Sequence, residues 1–393
     1  MAVKKLFGKN DGTPDSPFYN FIFLLVRIWA GGKPKPQFEL NGFEDLEGPY
    51  ILLSNHESFF DFYYLRQLPH KKKPVYVINR FYCTRPFLHF LSERVGMIPK
   101  RIFYTDMVTP VRIMRMIKKG FPVIIYPEGR LCIDGRTNRI TEPGGAFYKR
   151  LGVDIVLANV NGAFYEKPKW RKTRYRTPVK ITIKKIIRKE ELKNLSGDEI
   201  DSIINTTVKN DATVKLMSTY PQKDKAEGLQ SILYRCYACD GLYTTRGKGN
   251  TISCTSCGRT FTLDDHYRFI EEPYTIAAWY DHIEEYERKH IKDIDLTVDA
   301  TAEIYPPKGK MTERAKCRLT YDSVTYESDR LKFEYPISKM QGILFTAGVH
   351  FELYYDDEQI YINPDTDPVQ SVRWAHIVDI IKKDQASEAE HGE

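Results

Sequence analysis

The apolar positions of the first half fall into short runs separated by polar breaks. Tyr50–Leu53, Val75–Ile78, Val95–Pro99, Pro122–Tyr126, Gly152–Ala158 and Val179–Ile183 are too short for helices of ordinary length and read as buried strands. Between them the spacing changes. Val111, Ile113, Met114, Met116 and Ile117 lie at helical intervals within Thr109–Lys119, and Gly120 ends that stretch. A further short helix is expected over Pro86–Leu91. Ser196 and Glu199 are spaced as a capping box opening a helix that the pattern carries to Tyr220. Strands alternating with helices predict an α/β layer structure, a mixed sheet flanked by helices. After about residue 230 the pattern changes. A helix over Tyr274–Lys292 precedes short alternating runs such as Arg318–Tyr326, His350–Tyr355 and Gln359–Asn363, the last two joined by a hairpin at Asp356-Asp357. Val369–Lys382 reads as a closing helix.

Composition divides the chain further. Of 393 residues, 42% are hydrophobic, enough for packed cores. The net charge of +7 conceals an asymmetry: residues 1–230 hold 40 Lys+Arg against 23 Asp+Glu, and residues 231–393 hold 19 against 29. A basic half joined to an acidic half predicts separate modules with different partners, and nucleic acid, anionic membrane and phosphorylated small molecules all suit the basic half. Phe18–Ala30 is apolar but interrupted by Asn20 and Arg27, too short to span a bilayer. It reads either as a membrane-surface helix, with Trp29 inserted and Lys4, Lys5 and Lys9 nearby, or as a helix packed on the core. Arg27, just before Ala30-Gly31-Gly32, argues against a signal peptide. Gly31–Pro36 breaks the chain before the first core strand.

The chemistry begins at the end of the Tyr50–Leu53 run. Ser54-Asn55 leaves the strand, and His56 and Asp61 follow five positions apart. On one helix those positions would diverge, so the histidine belongs before a helix and the aspartate in its first turn. The carboxylate then holds one ring N–H and leaves the other nitrogen as a base. Spacing alone decides nothing. His290 and Asp295 repeat it inside the charged stretch Glu284–Asp295, where a solvated helix face and its end is the better reading. The first copy differs in standing at the carboxyl end of a strand, where open α/β sheets bind ligands. A second strand end carries Pro127-Glu128-Gly129-Arg130, a tight turn that displays Glu128 and Arg130.

Asn55-His56, four intervening residues and Asp61, followed some seventy residues on by a strand and Pro-Glu-Gly-Arg, resemble the motifs of the glycerolipid acyltransferases, in particular the 1-acyl-glycerol-3-phosphate acyltransferase branch, over roughly residues 35–220. The resemblance implies a glycerol-phosphate acyltransferase-like fold. It implies His56 as general base, Asp61 as its orienting carboxylate, and a lysophospholipid acceptor acylated by acyl-coenzyme A or acyl carrier protein. In Gly96-Met-Ile-Pro-Lys-Arg101 it points to Arg101, with Lys100, as the holder of the substrate phosphate. Asn55, Glu128, Gly129 and Arg130 complete the implied substrate-binding set, Glu128 either positioning the acceptor or bracing the loop. Ser58 reads as a helix-start residue and not a nucleophile. Two departures stand out. Arg130 follows Gly129 directly, where the family has an intervening residue, and Ile155–Asn159 lacks the proline of the family's later motif.

Cys236-x2-Cys239 and Cys254-x2-Cys257 have the pairing of a zinc ribbon, a closed four-thiolate site of structural type. Iron fits the same S₄ geometry. His266 lies beyond the set. Cys83, Cys132 and Cys317 read as ordinary thiols, and a reducing cytoplasm is the default. The expected order is a membrane-surface helix over 1–34, an acyltransferase domain over 35–230, a zinc ribbon over 231–265, a helical connector over 266–301, a β-rich domain over 302–384 and an acidic tail over 385–393. In element order the β-rich domain resembles a pleckstrin-homology-like fold. The expected setting is peripheral, on the cytoplasmic face of an anionic membrane, with no nucleic acid bound and the oligomeric state open. Two rivals differ in class. One is a zinc-ribbon nucleic-acid-binding protein using the basic half and the Lys167–Arg176 cluster, which equally suits lipid headgroups, acyl carrier protein or a solvated loop. The other is a metal-dependent hydrolase using His56, Asp61 and Glu128, which lacks the further histidines such sites employ.

Overall fold

The computed structural model describes residues 13–14, 16–29, 35–80, 90–92, 94–104, 106–140, 143–306, 309–356 and 358–391. Lys4, Lys5, Lys9, Ala30, residues 31–34 of the Gly31–Pro36 break, Cys83 and most of the helix expected over Pro86–Leu91 lie outside them. The chain forms two compact units, Met1–Glu166 with Tyr175–Met217, and Lys167–Arg174 with Ser218–Glu393.

The first unit is built on seven strands: β1 (Gln37–Glu39), β2 (Tyr50–Ser54), β3 (Val75–Asn79), β4 (Met97–Lys100), β5 (Val123–Ile125), β6 (Asp154–Asn161) and β7 (Lys180–Ile187). They run in the order β1-β7-β6-β2-β5-β3-β4. β6, β2, β5, β3 and β4 are mutually parallel, and β7 is antiparallel to β6. Every residue of β2 is buried, because both faces of the sheet are covered. Tyr50 and Leu52 face a cluster with Tyr76, Ile124 and Val156 that takes in Tyr19 and Phe23 of the helix Ser16–Trp29. Ile51 and Leu53 face the other way. They join Val75, Val123, Ile155 and Leu157 under Ile113, Met116 and Ile117 of the helix Val108–Lys118, and under Ile200 and Ile204 of the helix Gly197–Thr207. The period-two alternation of β2 thus serves two cores.

The capping box forms as expected. Glu199 N–H donates to Ser196 Oγ at 3.1 Å, and Ser196 N–H donates to Glu199 Oε2 at 2.7 Å. The helix ends at Thr207, well short of the expected Tyr220. Thr206, Thr207 and Val208 are stiff β-branched residues, and beyond them the chain turns so that the Asn210 side chain reaches Glu57. Among the described residues no helix is long and apolar enough to cross a membrane.

The second unit contains a three-stranded sheet, β8 (Thr245–Lys248), β9 (Thr251–Cys254) and β10 (Thr260–Thr262), in the order β10-β9-β8. The helix Ile276–Lys289 follows, capped by Thr275, whose Oγ1 accepts the Ala278 amide at 3.0 Å. A seven-stranded antiparallel sheet comprises β11 (Asp295–Tyr305), β12 (Met311–Thr320), β13 (Ser323–Ser328), β14 (Lys332–Pro336), β15 (Leu344–Thr346), β16 (His350–Tyr355) and β17 (Glu358–Pro364). Its order is β14-β13-β12-β11-β17-β16-β15, and the helix Gln370–His391 closes it, with Trp374 stacked on Phe351 at 4.6 Å.

Several expected boundaries move. β11 begins at Asp295, inside the stretch expected as connector. The closing helix continues to His391, into the expected acidic tail, where Lys292 pairs with Glu388 at 2.5 Å, as it does with Asp384 just before the tail at 2.7 Å. The run Arg318–Tyr326 is two strands with a turn at Tyr321-Asp322. The basic segment 167–174 and residues 218–230 belong to the second unit and not to the first, as the expected domain over 35–230 had them. Trp170 Nε1 donates to the Lys225 carbonyl at 3.0 Å, and the Arg171 guanidinium reaches Tyr267 Oη.

Candidate active site and metal centre

In the first unit the parallel strands deliver their carboxyl ends to one edge of the sheet. The β2–β5 register sets Leu53 opposite Ile125, so the chain leaves both strands side by side. Asn55 comes first. It is buried, its Oδ1 accepts the Val160 amide at 2.8 Å, and its Nδ2 donates to the Val160 carbonyl at 2.8 Å. The carboxamide extends the β2–β6 ladder by one rung. Asn55 was expected among the substrate contacts, but its polar groups are committed to holding the strand end in place.

His56 precedes the short helix Asp61–Leu65, and Asp61 opens it. Nδ1 of His56 lies 2.8 Å from Oδ2 of Asp61, and the same oxygen accepts the Ser58 amide at 2.9 Å. The Asp61 side chain is 0% exposed and that of His56 21%. The carboxylate therefore fixes an imidazole that solvent still reaches. Tyr126, the residue after β5, stacks on the imidazole at 4.0 Å between centroids and 11° between planes.

Glu128 ties the two strand ends together. Its Oε1 accepts the His56 amide at 2.6 Å, and its Oε2 accepts the Asn138 amide at 2.6 Å and Asn138 Nδ2 at 2.8 Å. The Cys132 amide donates to the His56 carbonyl at 2.8 Å, closing the loop from the other side. Of the two uses considered for Glu128, this geometry is that of a brace. Burial pushes its carboxyl up to about 8, against the pull of the three N–H donors. Glu57 is buried likewise. Its Oε2 accepts the Phe164 amide at 3.0 Å and its Oε1 accepts Asn210 Nδ2 at 2.7 Å. Burial, then the nearby Asp61 charge, raises it to about 8.

Gly129 has φ +71°, and a Cβ there would lie 3.1 Å from Ile102 Cγ2 and 3.4 Å from Phe103 Cε1. Only glycine takes both that backbone and that space without strain. The turn therefore packs on the segment after β4, where Lys100 ends the strand and Arg101 follows. The Arg101 amide donates to Asp106 Oδ2 at 3.2 Å. The Arg130 guanidinium sits 5.6 Å from the centre of the Phe103 ring. Lys100 at the end of β4, Arg101 after it and Arg130 thus stand on segments that meet where Gly129 packs on Ile102 and Phe103. Sequence reasoning missed Glu57, Tyr126, Asn138 and Asn210. Tyr126 borders the Pro-Glu-Gly-Arg turn and was within reach of that argument. Nothing local marks Asn138 or Asn210.

In the second unit the four thiolates converge. Cys236 Sγ lies 3.8 Å from Cys257 Sγ and Cys239 Sγ 3.8 Å from Cys254 Sγ, with all four sulfurs within 4.8 Å of one another. A tetrahedron with Zn–S of about 2.3 Å needs S···S distances of about 3.8 Å. The cluster fits a zinc ion, and the Ala238 and Ser256 amides donate to Cys236 and Cys254 sulfurs at 3.4 Å each. His266 stays outside the set. His290 and Asp295 do not meet. His290 Nδ1 bonds the Tyr286 carbonyl at 2.8 Å, and Asp295 pairs with Arg318 at 2.8 Å.

Residues 35–157 match the family model described as Acyltransferase. Over 149 residues the chain is 29% identical to the chloroplastic 1-acyl-sn-glycerol-3-phosphate acyltransferase LPAT1 of Arabidopsis thaliana, covering 36% of this chain and 41% of that one. It is 28% identical over 149 residues to the chloroplastic 1-acyl-sn-glycerol-3-phosphate acyltransferase BAT2 of Brassica napus, covering 36% and 43%. The matched stretch is thus about two fifths of the length of these relatives. The crystal structure of the 1-acyl-sn-glycerophosphate acyltransferase PlsC from Thermotoga maritima overlaps 49% of this chain and 74% of its own, at 17% identity and a TM-score of 0.39.

Proposed function

We propose that this chain, whose residues 35–157 match the Acyltransferase family model, moves a fatty acyl group from a thioester donor to the hydroxyl of a lysophospholipid, 1-acyl-glycerol-3-phosphate being the acceptor. The observation that carries the reading is the His56–Asp61 contact at the carboxyl end of β2. With Nδ1 given to Asp61, proton transfer falls to Nε2, which takes the proton of the acceptor hydroxyl as its oxygen attacks the thioester carbon. Asp61 steadies the imidazolium that forms. When the tetrahedral intermediate collapses, the C–S bond breaks and the proton passes to the departing thiolate. The products are an ester and a free thiol, on coenzyme A or on acyl carrier protein. Tyr126 holds the plane of the imidazole, and Glu128 holds the backbone from which it projects.

Arg101 and Lys100 hold the acceptor phosphate in a charge-assisted grip, with Arg130 on the neighbouring loop. The four cysteines hold a structural Zn²⁺, whose chemistry is to tie the ribbon together with no catalytic step. The helix Ser16–Trp29 leaves Phe21, Leu24, Leu25, Ile28 and Trp29 exposed on one side, while Tyr19 and Phe23 are buried on the other. That face, with Phe59 in edge contact with Trp29 at 6.3 Å, suits the surface of an anionic membrane on its cytoplasmic side.

The test is formation of phosphatidic acid by the full chain from 1-acyl-glycerol-3-phosphate, supplied in turn with acyl-coenzyme A and with acyl carrier protein thioester. Transfer from one donor at least is the expected result. No transfer from either ends this assignment.

A further inference from the structure

The second unit contains a cavity of about 390 Å³ that the acyltransferase chemistry does not use. Its walls come from three stretches far apart in sequence: Trp170 and Lys172 from the basic segment, Ser231 and Arg246 from the ribbon side, and Gly348 and Asp367 from the β-rich domain. That volume is in the range of small-molecule sites. Two cations face it. Lys172 is exposed, and Arg246 donates Nη1 to the Tyr243 carbonyl at 2.8 Å and to the Thr245 carbonyl at 2.7 Å. Among the described residues neither is joined to a carboxylate.

The same cavity lies at the start of the helix Gln370–His391, whose N-terminal partial positive charge favours an anion. Asp367 shares that end. Its Oδ1 accepts the Val369 amide at 3.0 Å and its carbonyl accepts the Gln370 amide at 3.0 Å. One carboxylate against two cations and a helix end leaves the site net positive, with an acceptor placed beside the donors. A second observation is independent of the helix. Ser231, on the cavity wall, is 5% exposed, and its Oγ has no hydrogen-bond partner, a costly arrangement for a hydroxyl.

We infer that this cavity binds a phosphomonoester carried on a glycerol skeleton. Lys172 and Arg246 hold the phosphate, and Trp170 supplies an apolar wall for the carbons beside it. Such a group is found on soluble glycerol 3-phosphate and on the headgroup of phosphatidic acid. The site lies wholly within the second unit and does not depend on the proposed transfer reaction.

The experiment uses the full chain, its His56→Ala variant and the double variant Lys172→Gln/Arg246→Gln, both of whose changes fall on exposed side chains. Glycerol 3-phosphate is titrated calorimetrically, and flotation is measured with phosphatidylcholine vesicles with and without phosphatidic acid. If soluble glycerol 3-phosphate is the ligand, the double variant loses one binding event, or binds there at least about tenfold more weakly. If the headgroup is the ligand, the double variant loses only the phosphatidic-acid-dependent part of the flotation. In either case His56→Ala binds as the unaltered chain does and the double variant keeps its acyl-transfer rate. A double variant unchanged in both titration and flotation overturns the inference.

Discussion

Oδ2 of Asp61 accepts two donors at once, Nδ1–H of His56 at 2.8 Å and the Ser58 amide at 2.9 Å. The backbone donor fixes the carboxylate independently of the histidine, so the imidazole is oriented by a group that is already held. The Asp61→Asn variant keeps the volume but turns an acceptor towards a donor. The expected outcome is a fall in kcat of about 10²- to 10⁴-fold with KM for the acceptor little changed, read from steady-state acyl transfer. Equal losses in kcat for Ser58→Ala would point to helix-start disruption instead.

Glu57 and Glu128 set a pH dependence of stability. Each is raised from its ordinary value of 4.5 to about 8 by burial. Between those values the folded chain keeps protons that the unfolded chain has released, so the stability these groups contribute is full below about 4.5 and falls as pH rises towards 8. Thermal melts at pH 5 and pH 8 should show a higher Tm at pH 5 for this part of the molecule. Glu57→Gln should flatten the difference, since the amide can still accept the Phe164 amide through its oxygen. A slope unchanged in Glu57→Gln would remove the carboxyl from the explanation.

The thiolate cluster predicts about one equivalent of Zn²⁺ per chain, lost in Cys254→Ser. Elemental analysis of purified protein checks it. Beside Cys236, Arg235 reaches the buried Glu287 at 3.1 Å, and Glu287 also holds Arg373 at 3.0 Å. Removing the metal should therefore loosen the helices Ile276–Lys289 and Gln370–His391, seen as faster amide exchange there. Zinc content unchanged in Cys254→Ser would rule out this ligand set.

The exposed apolar face of the helix Ser16–Trp29 predicts capture by anionic vesicles. Leu24→Asp with Ile28→Asp places charges on exposed positions only and should cut vesicle binding at least about tenfold without unfolding the chain. Capture by anionic vesicles unchanged in that variant would assign membrane contact to another surface.

Much of the first unit was legible because its signals are local. The apolar runs became strands, and Ser196 with Glu199 made the expected cap. His56 and Asp61 had to straddle a helix start to meet, and they do. The same argument separated them from His290 and Asp295, which find other partners. What was not legible depends on partners distant in the chain. Asn210 reaches Glu57 across 153 residues, and Asn55 meets Val160 across 105. A carboxamide looks alike in sequence whether it holds a ligand or a strand. The segment 167–174 reads as a loop of the first unit, and only the fold joins Trp170 to Lys225. The helix ending at Thr207 shows a local periodicity overruled by the turn that takes Asn210 inward.

The central claim is that His56 is the base. Its most direct test compares phosphatidic acid formation by the unaltered chain and by His56→Ala, at saturating 1-acyl-glycerol-3-phosphate and acyl thioester. The account predicts a loss of about 10²-fold or more in kcat, with zinc content and melting behaviour retained. A His56→Ala protein that turns over at the rate of the unaltered chain would contradict it and remove the histidine-base mechanism.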